Sequence, residues 1–191
     1  RVVLGSRIDG WKNLRRLRNT GAVTVCNHVH MLDCTLVEQA LFKERTYFIT
    51  LASNFKIPLV RHLIRILGGV PLSADVQTTA ELFSEMGKAL KKGACVQIYP
   101  EGVLLPYCRE LRPFRRGAFY LAEENQVPVL PMVITFHTPT GIRRIYKRKP
   151  CLRLHILPPL WPDSTLPKRQ QIKDLQDRCF SSMYKKITET R

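Results

Sequence analysis

The sequence of 191 residues lacks the marks of several common protein classes. No apolar run approaches the roughly 18 residues of a membrane-spanning helix. The longest run, residues 127–136, contains two prolines and is typical of a buried strand. No signal peptide, internal repeat or low-complexity tract is visible. The motifs G-x-S-x-G, G-x-G-x-x-G and the P-loop are also missing, which argues against the enzyme classes that depend on them.

The cysteines of this sequence show no paired spacing. The six cysteines form no Cys-x-x-Cys motif, and the chain does not resemble a small secreted scaffold. We therefore interpret them as reduced thiols of a protein on the cytosolic side, most of them core residues. They are Cys26, Cys34, Cys95, Cys108, Cys151 and Cys179.

Acidic residues are scarce. The 15 Asp and Glu residues oppose 31 Lys and Arg, which gives a formal net charge of +16. Such a surface favours polyanions, namely nucleic acid, an anionic membrane or an acidic carrier. A nucleic-acid-binding module is therefore one alternative. However, the basic residues are dispersed, and neither an RNP-like motif nor zinc-finger spacing is present, so we expect no nucleic-acid partner.

Short apolar runs alternate with amphipathic segments along the chain. Predicted strands cover residues 22–26, 46–51, 95–99, 129–136 and 151–157, and predicted helices cover 32–43, 58–67, 76–91, 114–124 and 167–187. Asp75 is the expected N-cap of the third helix and Gly93 its stop. The alternation predicts a single α/β domain over residues 1–191, with a mixed, mostly parallel sheet flanked by helices. Residues 160–191 are predicted to be a connector and a C-terminal helix.

A histidine and an aspartate lie five positions apart, directly after the first predicted strand. They are His28 and Asp33, in a segment that begins at Asn27. On one continuous helix, five residues turn the chain by about 500°, so the two side chains would point roughly 140° apart. They can meet only if His28 lies in a loop and Asp33 in the first turns of the next helix. Because such an aspartate fixes the imidazole tautomer and stabilises the imidazolium, the pattern predicts general-base chemistry.

Two other interpretations of this segment stay open. The spacing His28-x-His30 is similar to the start of metallohydrolase motifs, but the aspartate comes one position late and no histidine directly follows it. Cys26 and Cys34 flank His28, so a Cys–His nucleophile is conceivable. Both cysteines are more typical of buried residues, and we expect no metal site. His30 is interpreted as a packing residue or a support of the site.

Further along, Glu101 and Gly102 follow the third predicted strand in the sequence Tyr-Pro-Glu-Gly. In open α/β sheets, ligands bind at the carboxyl ends of strands. A carboxylate beside a glycine there can hold a hydroxyl group while the backbone comes close. The same residues also form an ordinary turn, so this segment decides nothing by itself.

Taken together, these segments resemble the phospholipid/glycerol acyltransferase family, the type that includes 1-acylglycerol-3-phosphate acyltransferases. The family block N-H-x-x-x-x-D is present at residues 27–33, and F-P-E-G-T-R is matched by Y-P-E-G-V-L at 99–104. Weaker matches are the glycine block at 68–73, V-P-[IV]-x-P-[VA] at 127–132 and F-K-x-G-A at 114–118. The resemblance spans about residues 20–136 and implies a glycerol-phosphate-acyltransferase-like fold.

The resemblance implies an O-acyltransferase of phospholipid biosynthesis. A fatty acyl group would pass from acyl-CoA or acyl carrier protein to a hydroxyl of a lysophospholipid or glycerol phosphate, with 1-acylglycerol-3-phosphate as the expected acceptor. His28 would be the general base and Asp33 its orienting acid, while Glu101 and Gly102 would bind the acceptor. No metal or other cofactor is implied. A different lipid alcohol as acceptor, or a non-catalytic membrane-binding protein with this fold, remain alternatives.

Two family residues are missing here. Leu104 stands where the third block has its phosphate-binding arginine, and Ser73 stands where the second block has its basic residue. An arginine of the following loop could supply the charge. The candidates are Arg109, Arg112, Arg115 and Arg116, of which we expect Arg115 and Arg116 to bind the acceptor.

A basic amphipathic segment at residues 55–67 could contact a membrane or the acyl chain. Leu59 and Leu63 belong to its apolar stripe, and Arg61 and Arg65 lie on the opposite side. An ordinary core-facing helix gives the same periodicity. The basic run 143–149 could contact the same anions, or be a solvated hairpin. We therefore expect the chain at the cytoplasmic face of a membrane, either peripheral or anchored by a segment outside this sequence.

Overall fold

One sheet of seven strands runs through the part of the chain that the computed structural model describes, residues 6–17, 20–58, 60–73, 75–141, 143–146 and 149–190. The strands are β1 (Arg7–Asp9), β2 (Ala22–Cys26), β3 (Thr46–Leu51), β4 (Gly69–Leu72), β5 (Cys95–Ile98), β6 (Val129–His137) and β7 (Cys151–Ile156). Their order across the sheet is β1-β7-β6-β2-β5-β3-β4. Neighbours pair in parallel, except that β6 and β7 are antiparallel. The expected mixed, mostly parallel sheet is confirmed.

Helices cover both faces of this sheet. They are α1 (Asp33–Ala40), α2 (Val60–Ile66), α3 (Val76–Lys91), α4 (Gly117–Glu124), α5 (Arg143–Tyr146) and α6 (Lys168–Glu189), with 3-10 helices at Trp11–Leu17 and Ala52–Lys56. The predicted bounds of α3 are confirmed. Asp75 caps it by accepting the N–H of Thr78 at 2.7 Å, and Gly93 follows its end with φ of +83°.

The alternating faces of β2 divide the core into two clusters. Val23 and Val25 point to the side of α3, α4 and α6, where Phe119 and Leu175 are buried. Ala22 and Cys26 point to the other side, against α1 and the 3-10 helix at residues 11–17. Every residue of β2 is buried, as expected for a central strand covered on both faces. The carboxyl ends of β2, β3 and β5 therefore meet at one edge of a firmly packed sheet.

The predicted amphipathic helix at 58–67 is shorter in the structure, where α2 begins at Val60 and ends at Ile66. Arg61 and Arg65 are exposed, as expected. Leu59 lies outside the described residues, and the side chain of Leu63 is likewise not described. Within the described ranges, no helix combines the length and the apolar character needed to cross a bilayer.

Candidate active site

The loop after β2 begins with Asn27, whose side chain makes the hydrogen bonds to β6 that a neighbouring strand would make. Asn27 donates from Nδ2 to the carbonyl of Ile134 at 2.9 Å and accepts the N–H of Ile134 at 2.7 Å. Both backbone groups of Ile134 are thus satisfied by one buried amide. The chain can therefore leave the sheet after Cys26, which brings His28 to the carboxyl edge, where α/β sheets bind ligands.

Asp33 organises this loop from the first position of α1. Its Oδ2 accepts the N–H groups of Val29 at 2.7 Å and of His30 at 2.9 Å, and it lies 3.1 Å from Nδ1 of His28. The aspartate side chain is fully buried, whereas that of His28 is 25% exposed. With an ionised aspartate, Nδ1 carries the proton and Nε2 is the unprotonated nitrogen. The expected arrangement of a loop histidine and a helical aspartate is thus present.

Tyr99 supports the imidazole from one side. The two rings stack with centroids 4.1 Å apart and an interplanar angle of 18°. Stacking and the bond to Asp33 together restrict rotation of the His28 side chain. The hydroxyl of Tyr99 is buried without a hydrogen-bond partner among the described residues, and burial raises the pKa of Tyr99 well above its usual value, so the hydroxyl stays protonated.

The surroundings of His30, Cys26 and Cys34 bear on the two other interpretations of this segment. Nδ1 of His30 accepts the N–H of Leu32 at 3.1 Å, so this ring supports the turn directly before α1. The described part of the chain contains no group of three His, Cys, Asp or Glu placed to bind one metal ion. Burial raises the pKa of both Cys26 and Cys34, and nearby Asp33 adds to the effect. Both thiols are therefore poor nucleophiles at neutral pH.

The carboxylate of Glu101 is buried and points toward the His28 loop. One oxygen accepts the N–H of His28 at 3.2 Å, the other accepts the N–H of Arg112 at 3.3 Å, and the guanidinium of Arg112 forms an ion pair with it. The side chain of Glu101 has no exposed surface. The acceptor contact expected at this residue stays a prediction; in the structure the carboxylate bonds to groups of the protein itself.

Gly102 leaves room for an arginine. Its φ of +77° favours glycine, and a Cβ atom there would lie 2.7 Å from Nε of Arg115. Arg115 is exposed and forms no ion pair with another described residue. Arg116 is also exposed, at the start of α4, but it is not among the residues that line the cavities beside His28.

Two cavities meet at His28. The first has a volume of about 360 Å³, and its lining includes Arg115, Gly102 and Phe83. The second, of about 270 Å³, is bordered by apolar side chains that include Cys34 and Leu67. Six residues line both cavities: His28, Ile49, Thr50, Asn54, Tyr99 and Leu104. The histidine therefore lies between a space with a cationic wall and a space with an apolar wall.

The model of the Acyltransferase family matches residues 7–135. This chain therefore belongs to the acyltransferase family, as the sequence motifs indicated. The chloroplastic 1-acyl-sn-glycerol-3-phosphate acyltransferase BAT2 of Brassica napus is 33% identical over 129 residues, which are 66% of this chain and 36% of that protein. The 1-acyl-sn-glycerol-3-phosphate acyltransferase of Escherichia coli is 24% identical over 171 residues, which are 88% of this chain and 67% of that protein.

A solved structure shares the fold. The 1-acyl-sn-glycerophosphate (LPA) acyltransferase PlsC from Thermotoga maritima superposes with a TM-score of 0.68 at 22% identity, covering 97% of this chain and 71% of that one. The chain thus spans most of the PlsC structure but little more than a third of the Brassica napus relative.

Three structural roles at the site were not predicted from sequence. Asn27 was noted as a motif residue, but not as a bridge to β6; Tyr99 was not expected to stack on His28; and Arg112 was considered only as a phosphate ligand. The tyrosine ends the predicted strand 95–99 directly before the Glu101 turn, which placed it near the site without indicating the stack. The other two roles depend on contacts between segments far apart in sequence, 107 residues for Asn27 and 84 for Arg112.

Proposed function

We propose that this chain transfers a fatty acyl group from an acyl thioester to a hydroxyl of a lysophospholipid or glycerol phosphate, with 1-acylglycerol-3-phosphate as the expected acceptor. The observation that carries the proposal is the 3.1 Å contact between His28 Nδ1 and Asp33 Oδ2, in a histidine that lines two cavities. This contact leaves Nε2 as the base. The family membership and the curated relatives support the same reaction.

The chemistry is a direct transfer. Nε2 of His28 removes the proton of the acceptor hydroxyl while its oxygen attacks the thioester carbonyl. The carbon–sulfur bond then breaks, and the imidazolium returns the proton to the leaving thiolate. Asp33 stabilises the imidazolium between these steps, and a positioned base of this kind contributes about 10²–10⁴-fold to the rate.

Arg115 is the residue that we assign to the acceptor phosphate. It lines the cavity that His28 also lines, and it has no ion-pair partner among the described residues. Gly102 permits its close approach to the turn after β5. A guanidinium suits a phosphate because two parallel N–H groups match two oxygens. Arg116 stands beside it in sequence and would act from the rim.

The second cavity suits an acyl chain. Its walls include Phe48, Ile57, Ile64 and Leu67, and it reaches His28. A fatty chain placed there would bring its thioester carbon to the imidazole. The donor would be acyl-CoA or acyl carrier protein, both of which are acidic and suit a chain with a net charge of +16.

Exposed apolar side chains around the cavities support a membrane partner. Leu51 and Val103 line the first cavity and are 51% and 58% exposed, while Met31 and Ile57 line the second and are 72% and 47% exposed. Together with Arg61 and Arg65, they would let the site open onto an anionic lipid surface. The acceptor would then enter from the bilayer rather than from water.

A second candidate is transfer to a lipid alcohol without a phosphate. The observation that favours it is Leu104, which places an apolar side chain in both cavities at the position where the family block F-P-E-G-T-R has its arginine. If this candidate is right, Arg115 contributes little to acceptor binding.

A single panel assay tests both candidates. Wild type, His28→Ala, Arg115→Gln and, as a matched control, Arg169→Gln at an exposed position of α6 are given labelled acyl-CoA or acyl carrier protein. The acceptors are lysophosphatidate, glycerol 3-phosphate and monoacylglycerol, in anionic vesicles, with products identified by mass. We expect His28→Ala to lose at least about 10²-fold in rate, and Arg115→Gln to raise KM for lysophosphatidate about tenfold or more while sparing monoacylglycerol.

Retention of most activity in His28→Ala would contradict the mechanism. A preference for monoacylglycerol, with Arg115→Gln unchanged, would favour the second candidate. Binding to the vesicles without any acyl transfer would indicate a non-catalytic membrane protein.

A further inference from the structure

Arg112 lies in the loop between β5 and α4, and one of its guanidinium nitrogens bonds to three oxygens on two different segments. They are a carboxylate oxygen of Glu101, the carbonyl of Val103 and the carbonyl of His28, the last at 3.2 Å. The His28 carbonyl is 84 positions away in sequence. The arginine therefore ties the loop that carries the candidate base to the turn that carries Glu101.

The backbone of His28 is held on both sides by this ion pair. Its N–H donates to Glu101 at 3.2 Å, and its carbonyl accepts from Arg112 and, at 3.1 Å, from the N–H of Leu105. Fixing the peptide groups before and after one Cα atom restricts both backbone dihedrals of that residue. Asp33 and Tyr99 then restrict the side chain. Each soft rotation of His28 is thus opposed by a named contact.

Glu101 needs the arginine for this arrangement. Its side chain has no exposed surface, and burying a carboxylate without a cation is costly. Without Arg112, we expect the Glu101 carboxylate to rotate toward solvent or to become protonated. The N–H of His28 would then lose its acceptor. The cation and the anion therefore act on His28 as one unit.

We propose that Arg112 is a positioning residue for His28, which fixes the backbone of the general base through its shared contacts with Glu101 and the His28 carbonyl. The inference rests on the acyl transfer proposed above. It separates two arginines of one loop: Arg112 faces the protein and orients the base, whereas Arg115 faces the cavity and is left to bind substrate.

A merely structural arginine would make a different prediction. Its loss would lower the folded fraction and leave kcat per folded molecule unchanged. A positioning arginine would lower kcat at constant KM, because misplacing the base affects the transition state more than the binding of either substrate. Lysine at this position would keep the charge beside Glu101, but its shorter side chain would bring the nitrogen less close to the His28 carbonyl, so it should recover only part of the rate.

The experiment compares Arg112→Gln, Arg112→Lys, Glu101→Gln and the double variant Glu101→Gln/Arg112→Gln with wild type. His28→Ala reports on the proposed function, and Arg169→Gln is the matched surface control. Steady-state kinetics are measured with lysophosphatidate and acyl-CoA, each rate being divided by the folded fraction from circular dichroism. Amide hydrogen exchange at Leu105, whose N–H donates to the His28 carbonyl, reports on the loop independently of activity.

We expect Arg112→Gln to lower kcat about 10- to 100-fold with KM changed less than about threefold, since it breaks hydrogen bonds to a charged group. Arg112→Lys should fall between this variant and wild type. The double variant should lose no more than about threefold beyond the worse single variant, because the two side chains act together. Exchange at Leu105 should accelerate in both Arg112 variants, and not in Arg169→Gln.

A wild-type kcat in folded Arg112→Gln would overturn the proposal, as would fully additive losses in the double variant. A selective rise in KM for lysophosphatidate would do so too, since it would make Arg112 a phosphate ligand. If Arg112→Gln does not fold, Arg112→Lys and Glu101→Gln decide, and unchanged kcat in both rejects the proposal. Activity in His28→Ala would instead reject the proposed function, while the Leu105 exchange result would still stand.

Discussion

Replacing Asp33 with asparagine tests whether the negative charge of Asp33 supports proton transfer by His28. The substitution removes one negative charge and keeps an oxygen that can accept the N–H groups of Val29 and His30, now held at 2.7 and 2.9 Å. The loop should therefore keep its shape. What is lost is the anion that stabilises a protonated His28, so the variant separates geometry from charge.

The size of the effect follows from the distance. Two unit charges 3.1 Å apart interact by about 5 kcal/mol at an effective dielectric constant of about 20. The asparagine oxygen would retain a neutral hydrogen bond of about 1 kcal/mol, and the 25% exposure of His28 weakens the charge interaction further. A net loss of about 3–4 kcal/mol of transition-state stabilisation remains, which corresponds to about 10²–10³ in kcat.

The assay is acyl transfer to lysophosphatidate under saturating substrates, with urea unfolding of the same preparations. Asp75→Asn is the matched control, because Asp75 is an exposed N-cap of α3 where asparagine caps equally well. It should retain wild-type rate and stability. If folded Asp33→Asn keeps more than about a tenth of the wild-type kcat, Asp33 does not support a proton transfer by His28, and the mechanism is wrong.

Three further outcomes follow from the structure. Tyr99→Phe should stabilise the fold by about 1 kcal/mol in urea unfolding, because it removes a buried hydroxyl with no partner among the described residues. A loss of stability would instead indicate that this hydroxyl bonds to Oδ1 of Asp33, which is also buried with no partner among the described residues. Burial, with Lys186 and Arg153 nearby, lowers the pKa of His155 to about 4. Because the histidine of the unfolded chain takes up a proton near pH 6.5, the free energy of unfolding should be at its full value above that pH and fall by at most about 3 kcal/mol as the pH drops to 4. His155→Gln should flatten this pH dependence, and an unchanged pH dependence would exclude His155 as its source. Cys34→Leu narrows the apolar cavity and should shift the preferred acyl donor toward shorter chains, whereas an unchanged chain-length profile in a donor panel would place the acyl group elsewhere.

The elements that sequence predicts well are those whose causes are local. The long helix α3 has an N-cap at Asp75 and a terminating glycine at Gly93, so local residues determine both of its ends. The central strand β2 is a continuous apolar run between loops. The five predicted strands are present to within one residue at their ends, as their β-branched content suggests.

The edges of the sheet were missed because they are stabilised by partners and not by their own sequence. Strand β1 has only three residues and pairs with β7, almost 150 positions later. Strand β4 contains Gly69 and Pro71 and borders only β3, which is where a strand proline is tolerated. For the basic run 143–149, a contact with anions and a solvated hairpin both stayed open. Residues 143–146 form a short helix, α5, while residues 147–148 lie outside the described residues.

Glu101 illustrates why a site can be located from sequence without its roles being assigned. The motif brings the carboxylate to the carboxyl end of β5, and this placement needs only the strand and the turn. The direction of the side chain depends on where a cation lies, and that cation is Arg112, eleven residues later in a loop with no regular periodicity. A buried carboxylate needs a cation, and that of Glu101 pairs with Arg112 and accepts the N–H of His28, while Glu101 is not among the residues that line the two cavities. Arg115 lines the first cavity, so one ion pair underlies the division that we propose between an orienting arginine and a substrate-binding arginine.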